Sequence, residues 1–504
     1  MKNILEFIEL NCSKFKNKTA FKDVNDSLSY EELLAESKSV GTALSVLGVR
    51  NKPVAIYLDK GVNVLTAMFG IVYSGNFYVV IDSEMPAVRI NAIFETLKPI
   101  AVLTDNEHLH AAQEFVFDGQ AYLMENLVQV KADDIKLLEI RNRQIDTDPV
   151  YALYTSGSTG IPKGAVVSHK AVIAYSKWSS ETFGISSETV FGNQTPFYFS
   201  MSVTDIYSTI RCGATLVIIP KAYFSFPIKL IEFLNENKVN TIYWVPSALS
   251  IVANLKLFKF AKPQYLKTVL FAGEVMPTKQ LNYWINNLDD DILFANLYGP
   301  TETTDICTYY VVNRSFSDDE PLPIGMHCDN CDVMIIKDNG EPAEAGEEGE
   351  LYVRGSFLAN GYYNNPEKTK EAFVQNPLNS CYPEIVYKTG DLVRENEQGE
   401  IMYITRKDFQ IKRSGYRIEL GEIETAVSSI ENIEENACVF DDAKDKIILF
   451  YCGRKIEDGD IRACIASKLP PYFMPDKFVK LRQMPHNQNG KIDRKKLKNN
   501  LEEN

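Results

Sequence analysis

From about residue 50 to 300 the chain alternates short apolar, β-rich runs with longer amphipathic stretches. The short runs are PVAIYL, FYVVID, AVLTD, ATLVII, NTIYWV, TVLFAG and DILFANLYG. Strands alternating with helices predict a parallel sheet covered by helices, so the fold class is α/β. Between about 321 and 404 the texture changes to strands separated by glycine and acidic turns, as in DVMIIKDNGEP, GELYVRG and YKTGDLVRENEQGEIMYI. That pattern predicts a more antiparallel, β-rich subdomain. Behind TRKDFQIKRSGYRIE, residues 405–419, a helix is expected over LGEIETAVSSI, strands around ENACVF and KIILFYC, a helix near 457–468, and then a lysine-rich tail. A boundary near 405–409 follows, with an N-terminal domain over 1–405 and a small α+β domain over 406–504. No internal repeat or low-complexity block is visible.

Length agrees with more than one domain, since 504 residues exceed what one hydrophobic core usually organises. At the N-terminus, MKNILEFIELNCSKF sets Glu6 and Glu9 among Leu5, Phe7 and Ile8, which suits a surface helix better than a signal peptide. No uninterrupted apolar span reaches the roughly 20 residues a bilayer requires, so a cytoplasmic protein with no membrane partner is expected. A formal charge of −14 argues against nucleic acid as a partner, because a polyanion needs a concentrated basic face. The nine cysteines read as reduced thiols. His327, Cys328 and Cys331, in HCDNC, have spacings a metal could use, but a structural zinc needs a fourth ligand and usually a second knuckle, and ordinary loop cysteines are expected.

Two segments carry candidate chemistry. In YTSGSTGIPKGA, residues 154–165, a strand over YALY leads into a loop and then a helical SHKAVIAYS. Gly157, Gly160 and Gly164 let backbone amides turn toward one point, Thr155, Ser156, Ser158 and Thr159 add hydroxyl donors, and Lys163 adds positive charge. Together they suit phosphate oxygens, although the P-loop pattern fails because Pro162 precedes Lys163 and Gly164 follows it. The same composition also marks flexible linkers. In NLYGPTETT, residues 296–304, a strand-ending Tyr298 before a Gly-Pro turn would present an aromatic face, with Glu302 placed to hold magnesium. A plain turn is the alternative there.

With YKTGDLVR, RKDFQIKRSGYRIELGEIE and NGKIDRKKL, these segments occur in the order of the adenylate-forming superfamily, which the chain resembles from LSYEELL at 28 to Leu497. It looks most like the freestanding adenylation enzymes that load carrier proteins, including amino-acid-activating domains of peptide synthetases and D-alanine ligases. The resemblance implies that a carboxylate attacks the α-phosphate of MgATP and that a thiol then takes the acyl group. On that pattern Thr155 to Lys163 would hold the β and γ phosphates, and Thr301 and Glu302 would face the α-phosphate and Mg2+. Tyr298 would stack on adenine, assisted by Asn296 and the Gly273–Glu274 turn, and Asp391 would accept both ribose hydroxyls with Arg406 close by. Lys491 would bridge carboxylate and phosphate as charge spreads in the transition state, the alternative being a solvated basic tail. Asp408 sits where the family hinges its small domain, a rotation that would withdraw Lys491 and bring the loop around Gly415 to the thiol tunnel.

The substrate end departs from the pattern. Where most amino-acid-activating relatives have an aspartate for the α-ammonium, this chain has Ser200, and a hydroxyl cannot replace a carboxylate in that bond. Asp205 is no substitute, since relatives carry an acid there too. The expected pocket comprises Ser200, Met201, Thr204, Tyr243, Leu270, Ala272, Leu297, Asp305 and Ile306, with Phe199 at its mouth. Asp305 stands where an apolar wall is usual; pointing inward, it would need a cationic or hydroxyl partner on the substrate, and pointing outward, a protein cation. The expected substrate is therefore a small carboxylic acid with its polar group away from the α-carbon. The expected acceptor is an acyl or peptidyl carrier protein in trans, its phosphopantetheine supplying the thiol. Free CoA is the alternative acceptor, and an inactive nucleotide-binding scaffold the alternative of another class.

Overall fold

The computed structural model describes residues 1–155, 162–407, 410–486 and 492–502. The chain divides into two compact units: Met1–Ser83 with Leu97–Leu153 and Gly164–Lys407, and Glu84–Thr96 with Tyr154–Lys163 and Asp408–Asn504.

All seven apolar runs form strands. In chain order, β1 (Thr19–Lys22) and β2 (Ser27–Ser29) precede β3 (Pro53–Tyr57), β4 (Phe77–Ile81), β5 (Ala101–Thr104), β6 (Gln120–Leu123), β7 (Pro149–Thr155) and β8 (Lys163–Ser168). The last six make one sheet, ordered β6-β5-β3-β4-β7-β8. A nine-stranded sheet adds β9 (Val190–Asn193), β10 (Thr215–Ile218), β11 (Thr241–Trp244), β12 (Thr268–Ala272), β13 (Leu293–Tyr298), β14 (Thr308–Val311) and β15 (Met326–His327), ordered β15-β14-β13-β12-β11-β9-β10-β1-β2. Its middle, from β13 to β1, is parallel; β2, β14 and β15 make antiparallel edges. Every residue of β11 and β12 is buried, the expected state of parallel strands covered on both faces.

Two helices matter for the site. One, His169–Thr182, starts where the Ser168 hydroxyl accepts the Ala171 amide. The other, Ser202–Cys212, ends at Gly213 in the left-handed conformation. The N-terminal helix, Leu5–Phe15, buries Leu5, Phe7, Ile8 and Asn11, while Glu9 accepts from Tyr73 and Arg141 at 2.9 and 2.8 Å.

The antiparallel subdomain consists of β16 (Cys331–Ile336), β17 (Glu348–Gly355), β18 (Phe373–Gln375), β19 (Ile385–Glu395) and β20 (Ile401–Arg406), with β20 on β19. In the second unit, β23 (Ile433–Asp441) and β24 (Lys446–Gly453), numbered after the short hairpin of β21 (Gln410–Arg413) and β22 (Tyr416–Glu419), pack against helices Leu420–Ser428 and Asp458–Lys468. The lysine-rich tail is a helix, Arg494–Glu502, and not simply a solvated run: Leu497 is buried and Arg494 grips both Glu424 oxygens at 2.7 and 2.6 Å.

Candidate active site

Strands β12 and β13 run parallel with Ala272 beside Leu297, so the segments that leave them emerge side by side. Gly273 and Glu274 leave β12, and Glu274 accepts the Ser247 amide at 2.9 Å. Asn296 and Tyr298 belong to β13; the Asn296 amide donates to the Pro323 carbonyl at 2.8 Å. Asp391 and Arg406 come from the antiparallel subdomain, where the pairing of β19 with β20 sets them directly opposite one another. Arg406 donates to one Asp391 oxygen at 2.9 Å, and the Tyr298 hydroxyl donates to the other. Burial and the Asp391 charge push the Tyr298 phenol well above its usual range, so it stays a donor.

Beyond β13 the chain turns sharply. A Cβ on Gly299 would stand 2.2 Å from the Asp305 carbonyl oxygen and 2.5 Å from the Ile306 Cα, so only glycine lets these strands of backbone touch. Thr301, Glu302 and Thr303 form a single 3-10 turn. Glu302 is fully buried and accepts the Tyr362 hydroxyl at 2.6 Å. Thr304 then takes φ +71°, a region β-branched residues avoid. Three contacts hold it there: its hydroxyl donates to the Phe357 carbonyl at 2.7 Å, the Tyr151 hydroxyl reaches its carbonyl at 3.4 Å, and the Asp305 amide bonds back to Thr303 at 2.9 Å. This turn aims Asp305 inward.

Asp305 is buried, and one of its oxygens accepts from Tyr175 at 2.9 Å, Thr204 at 2.9 Å and Tyr243 at 3.2 Å. The Tyr175 and Thr204 hydroxyls are themselves 2.6 Å apart. Among the described residues no lysine, arginine or histidine pairs with this carboxylate, so the outward alternative, a protein cation, is not what the structure holds. Burial raises its pKa to about 6 against the lowering effect of the hydroxyls, Ser200 among them. Of the other residues expected to line a pocket, Tyr243 lies opposite Leu270 in the sheet, and Leu270, Ala272, Leu297, Ile306 and Met201 are buried and apolar. Phe199, Ser200 and Thr301 are only half-buried, and the Thr301 hydroxyl lies 3.4 Å from that of Ser200. Burial thus increases from the half-buried Thr301–Ser200 pair to the fully enclosed Asp305.

Asp205 faces elsewhere, accepting from the Asn193 amide at 2.7 Å, and burial lifts its pKa to about 8. Cys328 and Cys331 are buried, and among the described residues no group of three or more His, Cys, Asp or Glu is arranged to hold a metal. Thr155 ends β7 and Lys163 begins β8, the Thr155 hydroxyl lying 3.5 Å from the Lys163 carbonyl. Ser156, Gly157, Ser158, Thr159, Gly160, Asp408 and Lys491 lie outside the described residues. Two site residues escaped sequence reasoning. Tyr175 sits in a helix whose spacing signals only an apolar face, and Tyr362 sits in GYYNN, a loop with no motif; nothing in either stretch announces its partner.

A family profile described as AMP-binding enzyme matches residues 8–363. Over 501 residues the chain is 31% identical to a ligase of L-proline and the L-prolyl-carrier protein from Streptomyces coelicolor, covering 94% of this chain and 92% of that one. It is 29% identical to tyrocidine synthase 3 of Brevibacillus parabrevis over 98% of its own length, but spans 8% of that protein. Among solved structures, the Vibrio cholerae adenylation domain AlmE, in complex with glycyl-adenosine-5'-phosphate, shares the fold with a TM-score of 0.85 at 23% identity, covering 99% of this chain and 98% of that one.

Proposed function

The chain belongs to the AMP-binding enzyme family, and on that premise we propose that it activates a small carboxylic acid with ATP and passes the acyl group to a carrier-protein thiol. In the first step a carboxylate oxygen attacks the α-phosphorus, the bond to the β-phosphate oxygen breaks, and pyrophosphate leaves. In the second, a phosphopantetheine sulfur attacks the acyl carbon and AMP leaves with its oxygen.

The observation that supports this most is the convergence of Tyr298, Asp391 and Arg406 where parallel strand β13 ends, the place where open α/β sheets take nucleotides. Asp391 offers the ribose hydroxyls an acceptor already oriented by Arg406, and Tyr298 offers adenine a face. Thr301 lines the rim where carboxylate and α-phosphate meet. Glu302 suits Mg2+ as a single hard carboxylate beside substrate phosphates, the usual way magnesium is held, and the ion supplies charge neutralisation there when bound. Lys163 serves the pyrophosphate end. Lys491 bridges the two anions, and rotation about Asp408 lets the C-terminal domain, 406–504, serve both steps. The substrate is not a standard α-amino acid, because Ser200 brings only a hydroxyl to the rim.

Carboxylate-dependent exchange of labelled pyrophosphate into ATP tests the first step without knowledge of the thiol. Exchange with at least one acid of a broad panel is expected, and none with any would overturn the reading. Thioester formation on a holo carrier protein, outpacing that on free CoA, tests the second.

A further inference from the structure

A carboxylate at the bottom of a pocket raises two separate demands. It must be hydrogen-bonded, and its charge must be balanced or expelled. At Asp305 the first demand is met by three protein hydroxyls converging on one oxygen. The second is not met by any described residue. The acids and bases nearby do not supply that balance: Asp205, raised by burial, brings no positive charge, and Lys60 faces Asp205 and donates to the Asn193 and Gln194 carbonyls. The Ser200 hydroxyl adds to the three hydroxyl donors, and another hydroxyl, brought by a ligand, would add one more donor without adding charge. A cation would complete the cluster.

The backbone around this residue is built to hold it inward. Thr304 accepts an unfavourable φ, and Gly299 permits the close approach behind it, so Asp305 is not a surface acid that has folded over. The distance from the reacting centre also has a direction. Thr301 and Ser200, hydroxyl to hydroxyl at 3.4 Å, occupy the half-buried rim, and Thr204, Tyr243 and Asp305 lie buried beneath. The Ser200 hydroxyl meets Thr301 on one side and Asp305 on the other, so a group held at Asp305 and a carboxylate held at Thr301 lie on opposite sides of it.

Resting on the adenylation reading, we infer that Asp305 is the anchor for an ammonium group carried on the β- or γ-carbon of the acid, and that Tyr175 is a positioning residue that orients the Asp305 carboxylate. The substrate class is then an amino acid with its amine displaced from the α-carbon. Thr204 and Tyr243 complete the acceptor side, and the apolar side chains of Leu270, Ala272 and Leu297 exclude water around the bond.

The test is pyrophosphate exchange by the full chain with chain-matched acids bearing an amine at the α-, β- or γ-carbon, a hydroxyl in the same places, or neither. A β- or γ-amino acid is expected to exceed its α-amino, hydroxy and unsubstituted counterparts at least tenfold in kcat/KM. In Asp305→Asn the preference for the amino acid over its unsubstituted counterpart should fall at least tenfold. Tyr175→Phe should raise KM for the amino acid several-fold with kcat nearly unchanged. Preference for an uncharged or α-amino acid by the unaltered protein, or equal loss on all acids in Asp305→Asn, overturns the inference and leaves the adenylation reading standing. Exchange with no acid at all overturns both.

Discussion

The hydroxyl of Tyr175, midway along the helix that follows β8, donates to Asp305 at 2.9 Å across 130 positions of sequence. This bond ties a residue with no motif to a buried acid, and it is the burial of that acid that makes the cluster responsive to pH. Burial sets the Asp305 pKa at about 6, whereas the groups around it stay neutral through that range: Tyr175, Tyr243, Tyr151 and Cys328 are pushed well up, and Asp205 is raised to about 8. The Lys60 ammonium, lowered to about 7, faces Asp205 and not Asp305. Only the ionised carboxylate attracts an ammonium, so KM for an amino-acid substrate should be constant above about pH 6 and climb roughly tenfold per unit below it. Initial rates between pH 5 and 8 check this, and Asp305→Asn should lose the inflection.

The charge-bridging role proposed for Lys491 predicts that its loss separates the two half-reactions. Lys491→Ala should lower the rate of adenylation by about 10²–10³, the usual cost of losing one transition-state charge partner. Thioester formation from a supplied acyl-adenylate should largely survive. Equal loss of both steps would remove Lys491 from the role of a charge bridge in the first.

Gly299 has no room for a side chain. In Gly299→Ala the new methyl would meet the Asp305 carbonyl oxygen at 2.2 Å, and that oxygen is backbone and cannot swing aside. A loss of roughly 3 kcal/mol or more is expected, at the upper end of overpacking costs. Thermal denaturation should show a clear fall in Tm, and any folded fraction should exchange pyrophosphate poorly.

His169 links stability to acid. It is fully buried, its Nδ1 accepts the Ile4 amide at 3.3 Å, its Nε2 has no partner among the described residues, and burial followed by the Arg141 charge holds its pKa down to about 3. The unfolded chain protonates it near pH 6.5 and the folded chain does not, so stability present at neutral pH is lost as pH falls from about 6.5 toward 3. Between pH 7 and 5 the loss should be about 2 kcal/mol. In His169→Asn, which keeps an acceptor for Ile4, Tm should fall less steeply over the same range.

Much of the frame was legible because its signals are local. PVAIYL or TVLFAG reads as a buried strand from its own letters, and all seven such runs are strands. The order of the glycine-rich and tyrosine-bearing segments was enough to indicate the family. What was not legible depends on distant partners. Nothing near Asp305 says that positions 175, 204 and 243 will bring hydroxyls to it, and without them its direction was open between ligand and protein cation. The Thr304 backbone conformation has no sequence signature, since threonine is the wrong residue to suggest a positive φ. The tail helix was hidden for another reason: its lysines mask one buried leucine and an arginine whose partner, Glu424, lies 70 positions back.

The turn that carries Asp305 is gripped from outside. Its fixed points are the Gly299 backbone, the Thr304 hydroxyl on Phe357 and the Tyr151 hydroxyl on the Thr304 carbonyl, and none of them involves the side chain at 305. Whatever residue stands there inherits the same inward aim. On the substrate reading proposed above, one codon can therefore rewrite what the enzyme accepts while the scaffold and the proposed nucleotide site are handed down intact.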